Sequence, residues 1–165
     1  MVTGTAWEAA AATPDPELPM LTLADLGILR DVEQTGERVT ATITPTYSGC
    51  PALREITAGL RHRLVAAGFP VVEIRTRLSP PWTSDWITAE GRRKLAEAGI
   101  APPHAAPSRP GPVPLTLLAA RSAVACPRCD SHQTTRIAEF SGTACKALYR
   151  CDDCLEPFEY VKEHG

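Results

Sequence analysis

Two Cys-x-x-Cys pairs near the C-terminus, Cys126-Pro127-Arg128-Cys129 and Cys151-Asp152-Asp153-Cys154, carry the most specific chemistry in the chain. A tight turn can set two thiolates on one metal ion, and two such turns complete a tetrahedral shell with no open position. The pairs are separated by 21 residues, one beyond the usual spacer of a four-cysteine zinc site. Redox thiols, an iron–sulfur cluster and structural zinc all draw on this residue type. Two pairs rather than one argue against a thioredoxin-like motif. Structural zinc is the expectation, held by Cys126, Cys129, Cys151 and Cys154, with iron as its competitor because four thiolates suit both metals. Cys145, between the pairs, reads as a small buried residue. His132 and His164 are alternative ligands, but four cysteines already fill the shell.

Cys50 is a different case. It stands alone in Thr46-Tyr47-Ser48-Gly49-Cys50-Pro51, between an expected strand and an expected helix. Unpaired backbone N–H groups and the helix dipole favour an anion there, so its thiolate should form more easily than in a free cysteine. The plainer reading is a small residue that fits a strand-to-helix turn. No histidine lies near enough in sequence to make a hydrolytic dyad; His62 reads as a surface residue of the following helix. The loop Pro80-Pro81-Trp82-Thr83-Ser84-Asp85-Trp86 follows a strand end, where binding residues concentrate, and packing serves its tryptophans equally well. Arg92-Arg93-Lys94 reads as a solvated helix face. There is no phosphate-binding glycine loop and no serine-hydrolase elbow.

These residues sit in a chain of 165, enough for one ordinary domain or two small ones. A hydrophobic fraction of 44% supports a core, while 16 prolines and 5% aromatics point to irregular segments. Residues 1–100 carry 10 Lys and Arg against 12 Asp and Glu, and residues 101–165 carry 7 against 7. Neither part attracts phosphates, so nucleic-acid binding is not expected. The N-terminus lacks the basic and apolar regions of a signal peptide, and no stretch is long enough to span a membrane. A cytoplasmic location is the default, where six cysteines serve as thiols or metal ligands rather than disulfides.

Residues 1–100 form the first expected domain, 101–114 a linker with six prolines, and 115–165 a second domain holding five of the six cysteines. In the first, Leu21 to Leu26 is expected as a short helix capped by Thr22. Ile28 to Val32 and Val39 to Thr44 read as strands joined by a turn at Gln34-Thr35-Gly36-Glu37. Leu53, Ile56, Leu60 and Leu64 keep helical spacing, so Pro51 to Ala67 is an amphipathic helix with Gly68 as its stop. Val71 to Leu78 alternates as a half-buried strand, and Thr88 to Ala98 is a further helix. The sum is an α+β domain of two layers, helices over a small sheet. In the second domain Thr134 to Phe140, Lys146 to Arg150 and Phe158 to Lys162 are strands interleaved with the cysteine turns, the pattern of a zinc ribbon. So small a piece needs metal to supply its folding free energy.

Four segments, Asp15-Pro16-Glu17-Leu18-Pro19, Asp25-Leu26-Gly27-Ile28, Tyr47-Ser48-Gly49-Cys50-Pro51 and Pro80-Pro81-Trp82-Thr83, resemble in that order the small iron–sulfur assembly domain of SufT-like proteins. Gly142-Thr143-Ala144-Cys145-Lys146-Ala147-Leu148-Tyr149-Arg150-Cys151 and Glu156-Pro157-Phe158 resemble the PaaD (also called PaaJ) proteins of the bacterial phenylacetyl-CoA epoxidase system. The resemblance covers nearly the whole chain. It implies an assembly-type first domain in which Cys50 holds a labile iron–sulfur cluster or passes on iron. It implies a role in aerobic phenylacetate degradation as an accessory, non-catalytic protein. The implied partners are a di-iron oxygenase subunit, a structural subunit and a reductase with flavin and an iron–sulfur cluster. Relatives often carry a further cysteine where this chain has Glu163. One cysteine cannot fill a cluster's coordination sphere, so a cluster on Cys50 would need a second protomer (a homodimer), a partner or small thiols.

Overall fold

The computed structural model describes residues 5–47, 49–106 and 124–164. Residues 107–114 of the expected linker lie outside them. A short helix α1 (Ala6–Ala11) opens the chain. It is fixed by a capping box in which the Glu8 N–H donates to Thr5 Oγ1 at 3.2 Å and the Thr5 N–H to Glu8 Oε2 at 2.7 Å. The sequence reading had no helix here. Six residues are too few for a hydrophobic period to show, and only the cap signals it.

The first sheet joins β1 (Leu29–Thr35), β2 (Arg38–Ile43) and β3 (Val71–Thr76) in that order. β1 and β2 form an antiparallel hairpin whose turn uses Gly36 at φ 60°. β2 and β3 run parallel because α2 (Leu53–Ala66) crosses between them. Ile56, Leu60 and Leu64 of α2 are buried in one core with Val39, Ala41 and Ile43 of the central strand. The expected amphipathic helix and the three expected strands are therefore present, with ends moved by up to three residues.

The expected helix at Leu21 to Leu26 is instead a single turn. Thr22 and Asp25 do exchange the reciprocal bonds of a cap, 3.1 Å and 2.9 Å. The chain then reverses at Gly27, φ +67°, and the Ile28 and Leu29 N–H groups fold back onto the Leu23 carbonyl. A Cβ on Gly27 would meet Trp86 at 2.6 Å, so this turn needs glycine for both conformation and space. Asp25 also pairs with Lys94 at 2.8 Å, and Arg92 donates to the Ser84 carbonyl at 2.9 Å. Within the expected solvated stretch Arg92-Arg93-Lys94, only Arg93 keeps to the exposed face, between Glu90 and Glu97. The other two tie α3 (Ala89–Glu97) to the body of the domain.

The second sheet has the order β4 (Ile100–Ala101), β7 (Pro157–Val161), β6 (Lys146–Cys151), β5 (Thr134–Ala138). β5, β6 and β7 are the three antiparallel strands expected for the cysteine module. β4 comes from the first module and adds in parallel to the edge of β7, pairing Ile100 with Glu159 and Ala101 with Tyr160. The start of the expected linker is thus a strand of the second sheet rather than a free spacer. Residues beyond it stay attached: Arg92 donates to the Pro103 carbonyl, and the Ala106 N–H donates to Asp85 at 2.8 Å. Val161 completes the exchange by burying itself in the first module's core.

Gly27→Ala is expected to lose roughly 1–3 kcal/mol of stability through the left-handed backbone and the clash with Trp86. A shifted urea midpoint at constant slope, followed by far-ultraviolet circular dichroism, measures it.

Candidate functional site

The four paired cysteines meet. All four Sγ atoms lie within 4.8 Å of one another. Cys126 and Cys154 are 3.7 Å apart, and Cys129 and Cys151 3.6 Å. A tetrahedron with metal–sulfur bonds of about 2.3 Å has edges of about 3.8 Å, so these separations are ligand edges rather than thiol hydrogen bonds. The two turns are built alike. The Cys126 N–H donates to the Ser131 carbonyl at 2.9 Å, and the Cys151 N–H to the Glu156 carbonyl at 3.0 Å. The residue after each second cysteine is left-handed: Asp130 at φ 57°, Leu155 at φ 65°. Leu155 in that conformation is strained and 67% exposed, so neither propensity nor burial holds it there. The Cys151 N–H on the Glu156 carbonyl closes this turn, and both thiolates on one ion would hold it. Cys126 and Cys151 are buried against Val124, Phe158 and Tyr160, while Cys129 and Cys154 face outward. The Ser131 hydroxyl to Asp153 and the Asp152 N–H to the Gln133 carbonyl at 2.8 Å cross-link the turns. The residues fit zinc, which when bound supplies a rigid four-thiolate node and, with no open position, no reactive site.

The second site lies where the two modules meet. A cavity of about 40 Å³ is lined by Asp15, Glu17, Cys50, Trp82, Cys145 and His164, with apolar groups of both modules around them. Each polar group is delivered by a separate local device. Asp15 accepts the N–H groups of Glu17 and Leu18, both at 2.9 Å, and so turns the chain to present Glu17. Cys50 is on the connection from β2 to α2, half-buried, with its N–H on the Tyr47 carbonyl at 3.3 Å. Trp82 is buried and donates to the Leu26 carbonyl at 2.8 Å, so its role includes packing, and it also forms the cavity wall. Cys145 comes from the loop before β6. The Lys162 N–H holds its carbonyl at 2.9 Å, and its thiol is 3.1 Å from Thr143 Oγ1 and 4.0 Å from Glu17 Oε2. His164 follows β7: its carbonyl accepts the Ser84 N–H at 2.9 Å, and its ring meets Trp82 edge-on.

The electrostatics of this cavity reverse one expectation. Cys50 precedes the first helical residue by three, beyond the cap Ala52. Burial pushes its thiol above the ordinary value, and the Glu17 and Asp15 carboxylates and Cys145 push the same way. The Ala52 N–H, acting in the opposite direction, does not offset them. Burial likewise raises Cys145 and, with Asp15 beside it, Glu17. Burial lowers His164, with Lys162 adding to it. Every one of these groups is biased to its uncharged form. Glu17 and His164 were the contributors that sequence reasoning left unassigned at this place; Glu17 stood inside the Asp15–Pro19 motif, whereas nothing local signals that His164 or Cys145 meets Cys50. His132 is exposed, and neither histidine joins the four-thiol group. Among the described residues no helix is long and apolar enough to cross a membrane.

Comparison with known proteins covers both modules. The family model for the PaaD zinc beta ribbon domain matches residues 110–162, and that for the iron–sulfur cluster assembly protein matches residues 7–75. An Escherichia coli (strain K12) protein, named as component D of a "Putative 1,2-phenylacetyl-CoA epoxidase", is 46% identical over 158 residues, covering 94% of this chain and 90% of its own. A crystal structure of a domain of unknown function, DUF59, from Bacillus anthracis is similar at a TM-score of 0.50 and 25% identity, over 55% of this chain and 87% of that one. A conserved hypothetical protein from Thermotoga maritima gives a TM-score of 0.48 at 25% identity, over 58% of this chain and 97% of that one. The two family models, the Bacillus anthracis structure and the four-cysteine group show an α+β assembly-type fold followed by a four-cysteine zinc ribbon.

Two outcomes follow from the geometry. Cys126→Ser should lose the bound zinc and, with it, the order of β5 to β7, while the helices of the first module persist. Zinc analysis and amide hydrogen exchange read this. Glu17→Gln removes a negative neighbour from Cys50, so more of its thiol ionises at a given pH. Iodoacetamide should then alkylate Cys50 faster at pH 8, with the pH profile shifted downward, as read by mass spectrometry.

Proposed function

We propose, on the premise that this chain belongs to the PaaD family of phenylacetyl-CoA epoxidase components, that it is an accessory protein which places or repairs iron, or an iron–sulfur cluster, in that multicomponent oxygenase. Cys50 is the transient ligand and the ribbon is the docking platform. The recipients are the oxygenase components of aerobic phenylacetate catabolism: the di-iron subunit, its structural subunit and the flavin and iron–sulfur reductase. The working location is the cytoplasm. The observation that supports this reading most is the contrast between the two thiol sites. The ribbon's four sulfurs form a closed shell, which stores a metal and reacts poorly. Cys50 stands apart, half-buried, at the edge of a cavity that carboxylates and a second thiol share.

In this reading the iron is cargo. Cys50 gives up its proton as the cargo arrives, and the cation then stabilises the thiolate that burial and Glu17 disfavour in its absence. Release reverses the balance: as the cargo leaves, the same burial and charge repulsion return the proton to the sulfur. A ligand set that is costly to hold charged without metal favours hand-over to a recipient with a complete shell. The ribbon's zinc takes no part in that exchange; its residues hold the module that faces Cys50.

Cys50→Ala should fold and keep its zinc, yet leave co-expressed oxygenase components short of iron and acid-labile sulfide and inactive. Full metal loading and activity with that variant would remove the proposal. The name of the Escherichia coli relative, as a part of the epoxidase itself, favours a second reading, a permanent structural or electron-transfer-coupling subunit. That reading requires co-purification at fixed stoichiometry and a fully active complex when Cys50 is replaced.

A further inference from the structure

One thiol is too few for a metal cargo, and the fold supplies a second from the same chain. Cys145 lines the cavity of Cys50, although it belongs to the other module. Glu17 lies between the modules with Oε2 at 4.0 Å from the Cys145 sulfur, too long for a strong hydrogen bond. Sulfur and oxygen ligands of one tetrahedral ion sit about 3.5 Å apart, so a small closure suffices. His164, on the same cavity, has its Nε2 wholly buried without a hydrogen-bond partner among the described residues. Lys146, next to Cys145, is already engaged by Glu159 at 2.7 Å, and Glu17 has no direct cationic partner among the described residues. The residues lining the cavity therefore include two thiols, the Glu17 and Asp15 carboxylates and an imidazole, a donor set that a thiophilic divalent cation satisfies.

We propose that Cys50 and Cys145 are the paired thiolate ligands of one inter-module site for a thiophilic divalent cation, with Glu17 and His164 as its oxygen and nitrogen donors. This rests on the transfer reading above and takes its iron arm, with the cation as ferrous iron. Each thiol releases its proton to solvent on binding, and no redox change is involved. The ribbon gains a function: its zinc holds the sheet whose β7 backbone anchors Cys145 through the Lys162 N–H. Among the described residues only the four ribbon cysteines already stand at mutual ligand distance. The new site must close upon its cation, which weakens binding and suits exchange.

Anaerobic titration of the zinc-loaded full chain with Co²⁺ tests this. Zinc keeps the ribbon because it outranks cobalt in divalent affinity. One Co²⁺ per chain should bind with a thiolate-to-cobalt charge-transfer band. Cys50→Ala and the near-isosteric Cys145→Ser should each reduce that band to about half, one thiolate of two, and weaken binding at least about tenfold. Glu17→Gln should weaken binding with the band intact. Zinc content verifies that each variant is folded. In the unaltered protein, Co²⁺ should protect both Cys50 and Cys145 from iodoacetamide, a readout that needs no variant. A Cys145→Ser protein with the full band, or cobalt that protects Cys50 alone, overturns the paired site and leaves Cys50-based transfer standing. No cobalt bound beyond the zinc overturns the site outright, while the oxygenase-loading experiment with Cys50→Ala judges the transfer reading separately.

Discussion

Two backbone pairs between Ile100–Ala101 and β7 decide how this molecule is put together. A three-stranded ribbon has two open edges, each a row of unsatisfied N–H and C=O groups. The first module closes one of them with its own last strand. Once that edge is taken, Val161 enters the first core, His164 meets Ser84 and Trp82, and the loop carrying Cys145 comes to rest beside Glu17. The cavity between the modules is a consequence of this seam. Two modules strung on a free proline-rich tether would have had no such common wall.

The zinc shell stands upstream of the seam in the energetic sense. Around it, among the described residues, Val124, Cys126, Cys151, Phe158 and Tyr160 are buried in one cluster with Ala101 from the first module. A module of this size rarely offsets the entropy of its own ordering by burial alone, and a bound metal supplies the difference. The strained left-handed Leu155 fits this balance, because a thiolate–metal bond is strong enough to hold a residue where no side-chain contact would.

The two thiol sites use the same element in opposite ways. In the ribbon, sulfurs are collected in advance and backbone N–H groups aim at them, as the Cys154 N–H does toward Cys151. In the cavity, burial and carboxylates keep the thiols protonated and apart from one another's charge. The first arrangement holds; the second waits for a cation. Both arrangements stand in one small chain, the ribbon's four sulfurs gathered at ligand distance and the cavity's two thiols held uncharged.

The amino-acid sequence determined whatever depends on neighbours along the chain. Leu53, Ile56, Leu60 and Leu64 specify α2 because a helix repeats every 3.6 residues, and the two Cys-x-x-Cys turns specify their shell because each turn is a local geometry. The hairpin of β1 and β2 followed from its turn signal and β3 from alternation, for the same reason. The capping box of α1 was local too, but the helix is too short for periodicity to reveal. Only tertiary structure decided that Thr22 to Leu26 stops after one turn, because Gly27 must pass against Trp86. Only tertiary structure paired Ile100–Ala101, at the start of the expected linker, with β7 as a strand and set Cys145 and His164 in the cavity of Cys50. Those pairings join residues far apart in the chain, through a sheet edge and a shared core. No pattern of spacing encodes a contact whose partner is chosen by shape and by unsatisfied hydrogen bonds elsewhere in the fold.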